Sequence, residues 1–138
     1  DSSVRSGAFD PTGNLVATTS DDCTAKVWRV GSGECLLQLT GHAGSVRAVA
    51  FAPDGNSLVT ASLDGTAKVW RSADGVLMTT LAGHQGYVCS VEYSPDGCAV
   101  VTGSWDETAK VWHIASGRCT VTLEGHQGAV TSIAFLPE

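Results

Sequence analysis

The stretch Gly41–Trp70, GHAGSVRAVAFAPDGNSLVTASLDGTAKVW, decides the fold because it is not unique in the chain. Its Gly41-His42 returns as Gly83-His84 and Gly125-His126, and its Val69-Trp70 is matched by Val27-Trp28 and Val111-Trp112, always 42 residues apart. Phe51-Ala52-Pro53-Asp54-Gly55 has counterparts at Phe9-Asp10-Pro11-Thr12-Gly13 and Tyr93-Ser94-Pro95-Asp96-Gly97 in the same register. A period of this size marks stacked supersecondary units, none of which can bury its apolar surface alone. The register divides the chain into repeats 1–42, 43–84 and 85–126, with the start of a fourth at 127–138, all within one partial domain spanning 1–138.

Within one repeat, apolar runs at Val46–Phe51, Ser57–Ala61, Thr66–Arg71 and Val76–Leu81 are divided by Pro53-Asp54-Gly55, Leu63-Asp64-Gly65 and Ala73-Asp74-Gly75. Proline presets φ and glycine supplies the positive φ of tight antiparallel turns, so each repeat is expected to form a four-stranded meander. Second strands such as Leu15-Val16-Ala17-Thr18 and Val100-Val101-Thr102 are apolar on both faces, which requires that both faces of the sheet be covered. A radial stack of four-stranded sheets meets that requirement.

These motifs resemble the WD-repeat (WD40-type) β-propeller family over the whole chain, three full repeats and the start of a fourth. The resemblance implies an all-β fold of propeller blades, a partial propeller of about three. The Asp that usually follows the Trp is replaced by Arg29, Arg71 and His113, and the other landmarks are in place.

A hydrophobic fraction of 43% and a charged fraction of 16% put the 138-residue chain in the globular class. No apolar run approaches the roughly 18 to 20 residues of a spanning helix, and the first residues lack a signal-peptide layout. A membrane partner is therefore not expected. Net charge is −6 and the basic residues stand singly, which disfavours a phosphate backbone and hence nucleic acid as partner. Five cysteines, odd in number and without CxxC spacing, read as reduced thiols of a cytoplasmic protein; neither a metal nor another cofactor is expected.

A Ser-His-Asp set recurs at fixed offsets: His42, Ser62, Asp64 with Trp70, then His84, Ser104, Asp106 with Trp112. Those residue types perform acyl transfer when they converge on one pocket. Here the set is rebuilt in each repeat with a Trp added, so the expectation is structural and the chain is not expected to be an enzyme. The resemblance implies a hydrogen-bonded chain from Asp to His to Ser to the Trp indole. Partial sets are Ser20, Asp22 and Trp28, and a lone His126.

If the repeated residues hold the blades together, specific function belongs to the positions that differ. The resemblance implies that proteins or peptides dock on the face bearing the Gly-His loops. Its contact positions here include Trp105, Tyr87, Arg47, Leu63, Arg5 and Asp21, a mixed aromatic and basic patch. The expected function is a protein–protein interaction scaffold, a fragment of a larger WD-repeat propeller. The alternative is the propeller module of a multidomain protein whose catalytic or effector domain lies outside this chain. Three blades cannot close a ring of four to eight, so exposed blade faces carry an expectation of self-association.

Overall fold

The computed structural model describes residues 3–126, 128–130 and 133. Among the described residues, twelve strands form three four-stranded antiparallel sheets, each a meander in sequence order. The first blade holds β1 (Val4–Phe9), β2 (Leu15–Ser20), β3 (Ala25–Arg29) and β4 (Cys35–Leu39). The second holds β5 (Val46–Phe51), β6 (Ser57–Ser62), β7 (Thr66–Arg71) and β8 (Leu77–Ala82). The third holds β9 (Val88–Tyr93), β10 (Ala99–Ser104), β11 (Ala109–His113) and β12 (Arg118–Leu123). The described strands are all β and the sheets do not close on one another. Among the described residues no helix is long and apolar enough to cross a membrane.

The expected strands lie where the apolar runs stand, with small shifts. The last strand of the second blade starts at Leu77 and not at Val76, because Val76 still belongs to the turn: its carbonyl accepts from the Arg71 amide at 2.9 Å. Gly75, at φ 76°, turns the chain there. Most of the start of a fourth repeat expected at 127–138 falls outside the described residues; Gly128, Ala129, Val130 and Ile133 are described.

Blades meet face to face, and Trp70 and Trp112 are the keystones of the two joints. Trp70 of the second blade packs with Leu58 and Val49 against Ala17, Val27 and Leu39 of the first. Trp112 of the third packs with Val91 and Val100 against Val59, Val69 and Leu81 of the second. β6 and β10 are accordingly buried on both faces from their second residue onward, the burial their sequence called for. A third cluster, Val101 and Ala109 with Val130, continues the stacking past the third blade.

The first strand of each blade lies innermost, β1 beside β5 and β5 beside β9. Each carries a bulge near its start. Pairing jumps from Val4↔Ser20 to Ser6↔Thr19, from Val46↔Ser62 to Ala48↔Ala61, and from Val88↔Ser104 to Ser90↔Gly103. The extra residues are Arg5, Arg47 and Cys89. A bulge re-aims the side chain that it carries, and these three converge at the end of the inner strands nearest the Gly-His loops.

Candidate interaction site

Two arrangements stand at that end of the molecule. The first is the repeated polar chain. His42 donates from Nδ1 to Asp64 Oδ2 at 2.8 Å, and its Nε2 meets Thr60 Oγ1 at 2.7 Å. The Trp70 indole donates to the same Thr60 oxygen at 2.9 Å. The third blade repeats this with His84, Asp106, Thr102 and Trp112 at 2.8, 2.6 and 2.9 Å. A neutral imidazole carrying its proton on Nδ1 satisfies every member: indole to Thr hydroxyl, hydroxyl to Nε2, Nδ1–H to carboxylate.

This corrects the hydrogen bonding expected from the resemblance. Ser62 and Ser104 do not link ring to indole; Thr60 and Thr102 do. The serines lie on the same face of the strand but two residues farther along, and that rise of about 6.6 Å takes them beyond the indole. Ser62 Oγ instead donates to the Gly44 carbonyl at 3.0 Å and accepts from the Asp64 amide at 3.0 Å, shaping the turn. Ser104 likewise accepts from the Asp106 amide at 3.1 Å. In the first blade Thr18 accepts from Trp28 at 2.9 Å, while Ser20 and Asp22 serve the turn through the Asp22 and Thr24 amides. His126 is exposed. The threonines were legible in principle, since Thr18, Thr60 and Thr102 share the 42-residue register.

The arrangement holds no Ser-His-Asp nucleophile. Both ring nitrogens of His42 are engaged, and the hydroxyl on Nε2 belongs to Thr60, which is fully buried. Burial lowers the pKa of His42 and His84, outweighing the carboxylate beside each ring. Burial pushes the Asp64 carboxyl up, but hydrogen bonds from Thr66, His42 and two amides outweigh it and hold the group down to about 2. What the chain does is fasten the Gly-His loop onto the turn between the second and third strands. The loop comes so close that a Cβ on Gly44 would lie 2.9 Å from the Asp64 amide nitrogen.

The second arrangement is a concavity of about 330 Å³ lined by Arg5, Arg47, Leu63, Tyr87, Cys89 and Trp105. Arg5, Arg47 and Cys89 are the bulge residues; Leu63 and Trp105 stand in the turns held by the polar chains, and Tyr87 precedes β9. Tyr87 and Trp105 pack ring against ring, centroids 5.1 Å apart and tilted by 56°, and the Trp105 amide donates to the Tyr87 carbonyl at 3.0 Å. Both rings remain open to solvent, 44% and 56% exposed, unlike the buried Trp70 and Trp112. Asp21 stands behind the lining and grips Arg5 through both carboxylate oxygens at 2.7 and 2.6 Å. It also accepts from Ser45 Oγ at 2.6 Å. The Arg5 hydrogen bonds first, and the Ser45 bond second, hold its pKa well below the usual carboxylate range. Burial pushes the Cys89 thiol up, opposed by the Arg47 charge and by Trp105.

The family model described as "WD domain, G-beta repeat" matches residues 1–29, 33–71, 75–113 and 117–138. The chain belongs to the WD-repeat family. Each full matched segment runs from the outer strand of one blade through the first three strands of the next, as 33–71 takes β4 with β5, β6 and β7. The family unit thus straddles a blade joint. An uncharacterized WD repeat-containing protein of Nostoc sp. (strain PCC 7120) is 48% identical over 40 residues, 29% of this chain and 3% of that protein. WD repeats generally mediate protein–protein interaction and are typically non-catalytic scaffolds.

Proposed function

We propose that this chain is a protein-binding platform whose contact surface is the concavity of Arg5, Arg47, Leu63, Tyr87 and Trp105, with Asp21 as the buttress of Arg5. The observation that carries the reading is the convergence of residues from all three blades on one open hollow, among them the Tyr, Trp and Arg types enriched in interface hot spots. All sit at positions where the repeats differ, so the needs of the fold do not account for them. The platform is part of a larger ring: Phe9 of the first blade is 65% exposed where its equivalent Tyr93, covered by the second blade, is 5% exposed. That open face is also where copies of the chain would self-associate. Five free thiols suit a reducing compartment, and the proposal places the platform in the cytoplasm.

The test replaces Trp105 and Tyr87 together with Ala. Capture of partner proteins is expected to be lost while unfolding stability stays within about 1 kcal/mol of the parent, the range of an exposed aromatic pair. Undiminished capture would sink the reading. So would a stability loss of core size, because the two rings would then be part of the packing.

A further inference from the structure

Resting on the platform reading, we infer that the concavity seats an acidic side chain of a partner peptide, with an apolar neighbour of that residue on the Tyr87–Trp105 pair. The argument begins with charge. Arg5, Arg47 and Asp21 leave one positive charge, and the geometry assigns it to Arg47. Asp21 is engaged chiefly by others, since both of its oxygens are taken by Arg5 and one also by Ser45. Arg47 stands 4.0 Å from that carboxylate and donates only from Nε, to Ser45 Oγ at 3.1 Å. Among the described residues, neither of its terminal nitrogens has a protein acceptor.

A guanidinium presents its donors as a planar fork that matches a carboxylate. Here the Arg47 side chain as a whole is 34% exposed, beside Leu63 and the two rings. A guanidinium that shares one carboxylate with a second arginine and keeps its terminal donors free gains more from an arriving anion than a fully paired one does. The surroundings select which anion. About 330 Å³ is at the small end of ligand pockets, which suits a short piece of extended peptide. Asp64, Asp106 and Glu107, on the turns at the same end, oppose a polyanion such as nucleic acid but act less on one carboxylate flanked by apolar groups. The tilted rings and Leu63 supply the apolar contact.

The test selects random eight-residue peptides by display on the 138-residue chain, then on its Arg47→Gln and Trp105→Ala variants. Peptides recovered on the parent are expected to be enriched in Glu or Asp next to an aliphatic or aromatic residue. Arg47→Gln should erase the acidic preference while melting like the parent. In anisotropy titrations of a selected peptide, Glu→Gln in the peptide is expected to weaken binding about tenfold or more, the worth of a charge-assisted hydrogen bond. Asp21→Asn frees Arg5 and should tighten the same peptide. Selected peptides that need Trp105 but show no acidic preference would overturn this inference and leave the platform reading standing. Peptides indifferent to Trp105→Ala, or none recovered, would overturn both. A single-stranded oligonucleotide that binds more tightly than any selected peptide would also overturn the inference.

Discussion

The first and second blades carry the same Thr, Asp and Trp in the same register, yet Trp28 is half-buried and Trp70 is 3% exposed. Trp70 is shut in by Ala17, Val27 and Leu39 of the preceding blade, whereas no described residue plays that part for Trp28. Thr60 joins the indole to an imidazole, while Thr18 receives the Trp28 indole alone. The difference teaches that the Trp belongs to the joint between blades more than to its own sheet. The histidine in turn fastens the connection arriving from the preceding blade.

The largest test of that comparison is truncation of the two tryptophans. Trp70→Ala should cost about 3–5 kcal/mol and Trp28→Ala about 1–2 kcal/mol in urea unfolding, because a half-exposed ring has less burial to lose. Equal losses would mean that the Trp serves its own blade. Next in size is Thr60→Val, which strands an imidazole nitrogen and an indole N–H in the interior and should cost about 2–4 kcal/mol. Thr18→Val strands one half-buried indole and should cost about 1 kcal/mol. Ser62→Ala, at about 1 kcal/mol, separates the roles of serine and threonine in the second blade.

Acid sharpens the comparison from another side. His42 and His84 are held below their ordinary value of 6.5, so the unfolded chain takes up more protons than the folded one as pH falls past that value. Stability is therefore fully present above about pH 6.5 and declines below it. Asp64, held down to about 2 against an ordinary 3.8, adds a second loss between those two values, again on the acid side. Urea midpoints measured from pH 7.5 to 5.0 should fall, and the double variant His42→Gln, His84→Gln should flatten the slope. An unchanged slope would remove the histidines from the account. The smallest effect is expected from Arg5→Ala, whose partly exposed ion pair with Asp21 should contribute less than about 1 kcal/mol to stability in urea unfolding.

Much of this was legible in the residues. The 42-residue register, the turn signals and the doubly apolar second strands suffice for four-stranded blades stacked face to face, because each observation concerns spacing and period. Arg47, Trp105 and Tyr87 could be marked for attention by asking where the repeats differ, but that subtraction does not show that they meet. Hydrogen-bond partners were less legible: Ser62 and Thr60 are both hydroxyls on one face of β6, and the choice between them turns on a shift of one pleat. The bulges leave only a slip of phase, Val46 to Val49 and Val88 to Val91 standing three apart where a regular strand keeps a period of two.

The sequence by itself determined the blade, its repetition and the loops that must lie at one end, since all three follow from local chemistry repeated at a constant interval. Tertiary structure alone decided which side chains share a space. Packing against a neighbouring blade buries Trp70 but leaves Trp28 partly open, and the bulges turn Arg5, Arg47 and Cys89 into one hollow with Tyr87 and Trp105. Asp21 binds Arg5 through both oxygens and meets Arg47 only at 4.0 Å, so that two arginines share one carboxylate. These outcomes depend on distances between distant parts of the chain, which a local pattern does not encode.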